Sequence, residues 1–459
     1  MEYRYRDASE MKDSGVEWIG KIPKDWEVTR LKNLVTIITG NTPSKNNENN
    51  YKDGYIPWIK PDNITEEFKI TESKEKLSYE GAKQARIIPK NSALVCCIGT
   101  VGKVGVNEYE CATNQQINSI IFNKKLWRNK YGIYTLIASR KEHERNSNKV
   151  VVSILNKNQQ GNIYMPIMNL NEQEKIANFL DKKTSQFDSI ISKKEALIEK
   201  LEEAKKSLIS EVVTGKVKVV KTDDGYELVK RSSDEMKDSG VDWIGCIPKG
   251  FKIVRLGLIS FVTKLAGFEY TNNMAEALSN EGEVPIVRAG NIKMNKFINQ
   301  EKEFIDIETS KLLNRSALYQ KCVLITFIGA GIGEVALFDK VERHHLAPNV
   351  AKIEILGENK NKIDEQYLIY YLMSSAGQEE VNKIKKASAQ PSLSMETIRN
   401  MKIVIPELDE QYKINEYLTK RIKEIEHIID KTKKQIEKLK EAKQSLISEA
   451  VTGKIEIMD

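Results

Sequence analysis

Two long stretches of the chain carry apolar residues at every seventh position, with charged and polar residues between them. This period predicts two long amphipathic helices that pack against each other as a coiled coil. The predicted seam consists of Leu180, Phe187, Ile191, Ile198, Leu201 and Leu208 in the first stretch and Leu418, Ile425, Ile429, Ile436, Leu439 and Leu446 in the second. Lys194 and Thr432 interrupt the seam at equivalent places, where a polar residue fixes the register at some cost in stability. About 42 residues at 1.5 Å each make each helix roughly 63 Å long, so each needs a partner.

The sequence also marks the ends of both helices. Asn171 followed by Glu174 is typical of an N-cap with a capping box, and Asp409 stands at the matching place in the second stretch. Gly215 and Gly453 follow the two stretches and suit a C-cap. Three further residues widen the apolar face, either to pack on a neighbouring globular unit or to meet another chain: Ile190, Leu197 and Ala204.

The sequence contains an internal repeat. Glu10–Pro23 returns as Glu235–Pro248 with 12 of 14 residues identical, and Ile198–Lys216 returns as Ile436–Lys454 with 16 of 19 identical. Two copies are too few for a solenoid, so we expect a pseudo-two-fold arrangement in which the long helices run antiparallel. The predicted division is a leader at 1–19, a globular domain at 20–168, a spacer helix at 169–216, a linker with a second leader at 217–244, a second globular domain at 245–406 and a second spacer helix at 407–459.

The sequence predicts a mixed α/β fold for both globular domains. Short alternating stretches such as Ile56–Ile59 and Ala93–Ile98 are typical of strands, and amphipathic stretches at about Lys130–Asn146 and Asp364–Met373 predict helices. The two copies differ mainly in these domains, while the leaders and helices are nearly identical. A symmetric scaffold with divergent domains suits a protein that reads two different targets. The alternative is drift in loops that tolerate change.

Composition and charge narrow the class of protein. The 459 residues are 40% hydrophobic and 30% charged, as in soluble globular proteins, and no apolar run is long enough to span a membrane. The N-terminus lacks a secretory signal and the five cysteines lack metal-binding spacing, so we expect a reducing cytoplasm. Residues 20–168 carry 23 Lys and Arg against 14 Asp and Glu, and residues 245–406 carry 21 against 18. This excess indicates domains that face a polyanion, with a lysine-rich solvated surface as the alternative.

Three motifs resemble catalytic or metal sites, and each fits a structural interpretation better. Gly329–Gly333 resembles a nucleotide-binding loop, but the EVALF that follows is typical of a strand, so we predict a glycine-rich hairpin turn. Asp62 and Glu67 are too close in sequence for the carboxylates of a metal-dependent nuclease, and the His344-His345 pair lacks further ligands at metal-binding spacing. We therefore predict no catalytic, cofactor-binding or metal-binding residue.

Taken together, these features resemble the specificity subunit of a type I restriction-modification system over essentially the whole chain. The motifs that carry the resemblance are the KDSGVEWIGKIP leader, GNTPS at Gly40–Ser44 with the IPWIKPDNI that follows, the IGTVGKVG turn, NQQIN at Asn114–Asn118, and the Glu-Gln pairs that open the long helices. The second domain departs from this pattern, with AGFEYT at Ala266–Thr271 and PNVAKI at Pro348–Ile353. The resemblance therefore implies two target recognition domains of different specificity.

The resemblance also implies a non-catalytic subunit whose two domains each read half of a bipartite, asymmetric site in double-stranded DNA. The helices would set the gap and dock two methyltransferase subunits. S-adenosylmethionine, ATP and Mg2+ would belong to the methyltransferase and restriction subunits and not to this chain. The alternatives are a standalone DNA methyltransferase with its active site in the second domain and a structural coiled-coil scaffold.

The candidate DNA contacts are polar and cationic residues in the loops of the two domains, where such side chains reach phosphates or base edges. For each of them a solvated surface residue is the alternative. They are Thr42, Ser44, Lys45, Asn46, Lys60, Asn63 and Lys103 in the first domain and Arg288, Asn291 and Lys293 in the second.

Overall fold

The computed structural model describes residues 2–149, 151–223, 225–387 and 392–458. The chain forms two compact units. Unit 1 consists of Met1–Lys194 with Lys433–Asp459, and unit 2 consists of Glu195–Thr432. Each unit therefore combines one globular domain with one half of each long helix.

The globular domain of unit 1 is built from short strands, because apolar and polar residues alternate there only in short runs. Its strands are β1 (Tyr3–Tyr5), β2 (Met11–Asp13), β3 (Lys21–Pro23), β4 (Glu27–Arg30), β5 (Val35–Thr39), β6 (Ile56–Ile59), β7 (Lys76–Leu77), β8 (Ile87–Ile88), β9 (Ala93–Cys96), β10 (Val104–Val106), β11 (Cys111–Thr113), β12 (Ile117–Phe122), β13 (Asn148–Lys149), β14 (Ser153–Ile154) and β15 (Tyr164–Ile167). Its helices are α1 (Tyr79–Gln84), α2 (Asn129–Ala138), α3 (Arg140–Arg145), α4 (Lys157–Gly161) and the first long helix, α5 (Leu170–Val213), which continues into unit 2.

Unit 2 follows the same plan. Its strands are β16 (Val217–Thr222), β17 (Gly225–Lys230), β18 (Met236–Asp238), β19 (Cys246–Pro248), β20 (Lys252–Arg255), β21 (Ser260–Lys264), β22 (Val284–Val287), β23 (Ile292–Lys293), β24 (Lys296–Phe297), β25 (Phe304–Ile305), β26 (Ala317–Leu318), β27 (Cys322–Thr326), β28 (Val335–Phe338), β29 (His344–Leu346), β30 (Val350–Ile355) and β31 (Lys402–Ile405). Its helices are α6 (Leu256–Ile259), α7 (Gly267–Glu269), α8 (Ile307–Leu312), α9 (Glu365–Met373), α10 (Ser375–Ala387), α11 (Met395–Asn400) and the second long helix, α12 (Leu408–Val451), which continues into unit 1 and is followed by β32 (Ile455–Ile457).

The two globular domains share one topology. In unit 1 an antiparallel sheet has the strand order β10-β9-β12-β5, and a second sheet has the order β7-β6-β11-β8 with β6 and β11 parallel. In unit 2 the corresponding orders are β28-β27-β30-β21 and β25-β22-β29-β26, with β22 and β29 parallel. The predicted strand at Ile56–Ile59 and the predicted helix that ends at Met373 are both present. The mixed α/β prediction and the internal repeat are therefore confirmed.

Within each unit the two long helices contact each other side by side. In unit 1, Lys443 donates to Asp188 at 2.6 Å, and Lys194 donates to Gln435 at 2.7 Å. Residue numbers rise along one helix as they fall along the other, so the two segments run antiparallel. In unit 2 the ammonium of Lys205 lies 3.6 Å from a carboxylate oxygen of the other helix.

The residues of the predicted seam are shielded from solvent in both units. The buried ones are Leu180, Ile191, Leu418, Ile429, Ile436 and Leu446, and the half-buried ones are Phe187, Ile198, Leu201, Leu208, Ile425 and Leu439. The two polar interruptions are satisfied differently, since Lys194 reaches Gln435 while the hydroxyl of Thr432 donates to the carbonyl of Ile428 at 2.8 Å.

The predicted N-caps of the long helices are each misplaced. The first long helix begins at Leu170, and the side chain of Asn169, not Asn171, accepts the backbone N–H of Glu172 at 2.9 Å. The second begins at Leu408, so Asp409 lies inside its first turn. Several polar residues crowd each start, and only the backbone geometry decides which of them caps the helix.

The predicted C-caps are confirmed. Gly215 and Gly453 adopt the left-handed conformation, with φ of +74° and +72°, and the N–H of the lysine after each glycine bonds back to a carbonyl of the last helical turn. The residues that follow Gly215 form an antiparallel hairpin of β16 and β17 in unit 2. In unit 1 the corresponding ribbon is the pairing of β1 with β32. In the part of the chain that the structure describes, no helix is both long enough and apolar enough to span a lipid bilayer.

Candidate nucleic-acid interface

In unit 1 a short turn after β6 presents the predicted pair Lys60 and Asn63. The side-chain oxygen of Asn63 accepts the backbone N–H of Lys60 at 3.0 Å and so closes the turn. The ammonium group of Lys60 ion-pairs with Glu75 and lies 4.8 Å from the ring centroid of Trp58. Lys45 joins this cluster, 3.6 Å from Glu75. The hydrogen bond from Lys60 stabilises the carboxylate and lowers the pKa of Glu75.

The same turn recurs in unit 2. The side-chain oxygen of Asn291 accepts the backbone N–H of Arg288 at 2.9 Å, and its amide nitrogen donates to the carbonyl of Ile298 at 2.9 Å. Arg288 ion-pairs with Glu303, as its counterpart does in unit 1. In both units the side chain of the asparagine closes the turn, whereas the side chain of Lys60 or Arg288 stays partly exposed.

The two glycine-rich segments form hairpin turns. Gly99 and Gly102 both have φ of +78° between β9 and β10, while Gly329 and Gly333 have φ of +97° and +84° between β27 and β28. The strands on either side pair antiparallel in both units. The prediction of a turn at Gly329–Gly333 is therefore confirmed, and no helix follows it as a nucleotide-binding loop would require.

Acidic partners also hold the cations of these turns. The ammonium of Lys103 lies 3.4 Å from Glu66, which in addition accepts a 2.8 Å hydrogen bond from Arg140. That hydrogen bond from Arg140 is the main reason why the pKa of Glu66 is lowered. In unit 2, Lys293 lies 3.3 Å from Glu334. All five cations predicted as DNA contacts are thus paired with a glutamate.

The polar loop that follows β5 carries the remaining predicted contacts. The hydroxyl of Thr42 donates to the side-chain oxygen of Gln115 at 2.6 Å. The carbonyl of Ser44 accepts the side-chain amide of Asn50 at 2.9 Å, while Asn46 is exposed at the outer edge of the loop. The loop is therefore held by its own polar groups and by Gln115, a residue of the NQQIN motif that was not among the predicted DNA contacts.

Sequence reasoning missed an open basic groove in unit 1. The groove has a volume of about 480 Å³, and its lining includes Lys32 and Lys157 but no acidic residue. In unit 2, Gly257 and Met395 stand at the corresponding places, next to the matching helix α11. No sequence signal could have revealed the groove, because the two lysines are far apart in sequence and neither belongs to a motif.

Each histidine of the pair contacts a backbone carbonyl in the structure. His345 is buried, its ring bonds to backbone carbonyls, and burial lowers its pKa. His344 lies 3.8 Å from Glu301. Across the ranges that the structure describes, no group of three or more His, Cys, Asp or Glu is arranged to hold a metal ion.

The fold defines a duplicated protein, in which two domains of one topology carry different polar loops. Comparison with known families gives this class a name. The family model of the type I restriction modification DNA specificity domain matches residues 23–203 and 248–438, once in each half of the chain. The chain belongs to this family.

Individual proteins of similar sequence are specificity subunits as well. The chain is 24% identical to the type I restriction enzyme MjaVIII specificity subunit of Methanocaldococcus jannaschii over 451 residues, which cover 95% of this chain and 94% of the relative. It is 43% identical over 102 residues to the type I restriction enzyme HindI specificity subunit of Haemophilus influenzae, 22% of each chain. A chain in a solved structure concerned with complex assembly and conformational transition of the type I R-M system shares the fold, with a TM-score of 0.67, 14% identity and coverage of 94% of this chain and 98% of that one.

Proposed function

We propose that this chain is the DNA sequence-specificity subunit of a cytoplasmic type I restriction-modification enzyme and has no catalytic activity of its own. Two target recognition domains, at about 20–168 and 245–406, each read one half of a bipartite, asymmetric site. The observation that carries the proposal is the duplication of one topology with different loops, because two half-sites of different sequence require two similar but unequal readers. Family membership supports it.

Phosphate attraction comes mainly from unit 1 in this proposal. Its globular domain carries the larger basic excess. The groove adds Lys32 and Lys157, and among the residues that the structure describes no acidic residue lines it. The predicted contacts Lys45, Lys60 and Lys103 act differently, because their glutamate partners offset part of the charge and fix the side chains in place. We propose that these residues, with Arg288 and Lys293 in unit 2, position the loops at the DNA backbone.

The long helices act as the spacer between the two readers, packed as an antiparallel coiled coil. The shielded seam and the opposite directions of the two helices within each unit support this proposal. Four residues inserted into each helix, after Lys194 and after Thr432, add roughly 6 Å. We expect the gap in the recognised site to lengthen by one or two base pairs at about 3.4 Å each, with both half-sites unchanged. Altered half-sites would show that the helices are not the spacer.

The proposal also places a methyltransferase subunit on each copy of the repeated scaffold. Exposed residues that are identical in the two copies suit a partner that binds twice. On the long helices these pairs are Glu199 and Glu437, Lys200 and Lys438, Glu203 and Glu441, Ala204 and Ala442, and Ser207 and Ser445. Ile190 and Leu197 are also exposed on the first long helix and extend this face with apolar area.

A steric substitution tests the docking surfaces. Ala204→Arg or Ala442→Arg alone should reduce the complex from two bound methyltransferase subunits to one, and the double variant should bind none, as measured by native mass spectrometry. Glu202→Arg is the matched control, because the second copy already carries a cation, Lys440, at that position. Full binding of both subunits to the double variant would contradict the proposed surface.

Methylation mapping tests the function as a whole. The chain is expressed with its methyltransferase subunit in a host that lacks such a system, and methylated bases are located by sequencing. We expect a bipartite, non-palindromic motif with methylated adenine, in which the partner subunit supplies the S-adenosylmethionine chemistry. A continuous palindrome would count against the proposal, and methyl transfer by the purified chain alone would favour a standalone methyltransferase.

A further inference from the structure

Four segments of the first domain meet at one end of its sheets. The N–H of Asn41 donates to the carbonyl of Thr113 at 2.9 Å, and the N–H of Cys97 donates to the carbonyl of Gln116 at 2.8 Å. On the other side of Cys97, the N–H of Leu155 donates to the carbonyl of Cys97 at 2.8 Å. We call this region, residues 40–42, 97–99, 114–116 and 151–155, the first-domain tip.

The tip holds Gln115 in a defined orientation. Its side-chain oxygen accepts the hydroxyl of Thr42 at 2.6 Å, although the residue is exposed. The neighbouring Asn114 is buried and bonds to both the side chain and the backbone of Gln116, so the loop is rigid beneath Gln115. Close packing at Gly40, where a Cβ would overlap the carbonyl of Asn114, brings the two loops together.

The tip includes an exposed apolar finger, which consists of Val151 and Val152. The side chain of Val151 is 92% exposed and that of Val152 is 49% exposed, on the connection between β13 and β14. Backbone contacts bind the finger to the glycine turn, since the N–H of Gly99 donates to the carbonyl of Ser153 at 3.0 Å and Ile98 bridges to Ile154. Val151 is almost fully exposed and Val152 is half exposed, so both are available to a binding partner.

A cation flanks the tip as well. Arg86 is exposed, its backbone N–H donates to the side chain of Asn41 at 3.0 Å, and its guanidinium donates to the carbonyl of Thr39 at 2.6 Å. Among the residues that the structure describes, Arg86 ion-pairs with no carboxylate. The tip thus combines an oriented amide with an apolar finger, and beside it stands a cation that forms no ion pair with the described residues.

We infer that the first-domain tip reads base edges in the major groove of DNA, with Gln115 contacting an adenine and Val151 and Val152 contacting thymine methyl groups. A glutamine amide pairs with the N6 and N7 atoms of adenine, and thymine presents its methyl group only in the major groove. Arg86 is placed to contact the adjacent phosphates. The inference rests on the proposed function, since it names the bases that one of the two readers contacts.

The second domain cannot read in the same way. The strand registers align Gln115 with Pro348, because the N–H groups of Asn114 and Ala347 donate to equivalent carbonyls of β6 and β22. Proline has no amide side chain to pair with adenine. A change at Gln115 should therefore alter only one half of the recognised site.

The test uses the full chain in complex with its methyltransferase subunits. Gln115→Glu keeps the size of the side chain but replaces the donor that adenine N7 requires with an acceptor. We expect the methylated motif to relax or change at one position of one half-site, and affinity for the original site to fall roughly ten- to hundredfold at fixed salt. Gln186→Glu, at an exposed position on the first long helix, is the control and should leave both unchanged.

The apolar finger is tested with DNA in which uracil replaces thymine in that half-site. The wild-type complex should bind this DNA roughly fourfold less tightly for each methyl group that is lost. The Val151→Ser, Val152→Ser double variant should bind the two DNAs equally. Since both side chains are exposed, the substitutions remove no core packing.

The possible outcomes distinguish a failure of the proposed function from a failure of the inference about the first-domain tip. A wild-type complex that shows no bipartite motif contradicts the proposed function. A normal bipartite motif that is identical in the Gln115→Glu complex, with unchanged affinity, overturns the inference for Gln115 and leaves the proposed function intact. Equal wild-type affinity for thymine and uracil DNA overturns the inference for the finger.

Discussion

One buried glutamine at the start of each long helix joins that helix to its globular domain. The side-chain oxygen of Gln173 accepts the N–H of Arg128 at 2.8 Å, and its amide nitrogen donates to the carbonyls of Leu126 and Met168 at 3.1 and 2.9 Å. The side chain is 0% exposed. Gln411 makes the corresponding three hydrogen bonds in unit 2.

Replacing Gln173 by leucine removes all three bonds at nearly constant volume. One N–H and two carbonyls then lose their partner, and a buried polar group without a partner costs about 1–3 kcal/mol. The loss at Leu126 should be the smallest of the three, because this residue is itself 43% exposed. We therefore expect a destabilisation of about 2–4 kcal/mol, which corresponds to a roughly 30- to 1000-fold increase in local opening.

Hydrogen exchange with mass spectrometry measures this effect in each unit separately. In the Gln173→Leu variant the amide of Arg128 and its neighbours should exchange faster, while unit 2 keeps its wild-type rates. The Gln411→Leu variant should show the reverse pattern, with faster exchange at Asp364. Gln186→Leu, at an exposed position on the first long helix, should change neither unit.

An Arg128 amide that exchanges within twofold of the wild-type rate in the Gln173→Leu variant would contradict this prediction. Equal acceleration in both units would also refute it, because it would show that the glutamine stabilises the chain as a whole and not one unit.

Three further predictions concern unit 1. The Lys32→Glu, Lys157→Glu double variant should bind all DNA sequences more weakly, and the slope of log affinity against log salt concentration should fall by about 2 in fluorescence titrations. An unchanged slope would exclude the groove as a phosphate contact. Gly40→Ala should destabilise unit 1 by about 1–3 kcal/mol in urea unfolding, because the new methyl group overlaps the carbonyl of Asn114; a wild-type midpoint would show that the loops can separate without loss. Burial lowers the pKa of His143 to about 4, whereas this histidine has a pKa near 6.5 in the unfolded chain. The unfolded state therefore binds more protons between these pH values, and unit 1 should lose about 3 kcal/mol of stability as the pH falls from 6.5 to 4. His143→Gln should reduce this pH dependence of stability, and an unchanged dependence would assign it to other groups.

Periodic and repeated features could be predicted from the sequence because each depends on the spacing of residues that are close together along the chain. The seven-residue apolar period predicted the long helices, and the structure contains two helices of 44 residues each. The near-identical segments predicted the repeat, and the glycine pattern predicted a hairpin turn at Gly329–Gly333. Both predicted N-caps lie two residues too late, since neighbouring polar residues such as Asn169 and Asn171 differ as caps only in backbone geometry.

The arrangement of the candidate site depended on contacts between distant residues. Thr42 and Gln115 are brought together by the close packing of Gly40, and Lys32 and Lys157 meet across a groove that no motif marks. A local pattern can indicate which residues are polar, charged or glycine, because those properties belong to single side chains. Which of these residues face one ligand, and which are already neutralised by a glutamate, is decided only when the sheets bring distant segments of the chain together.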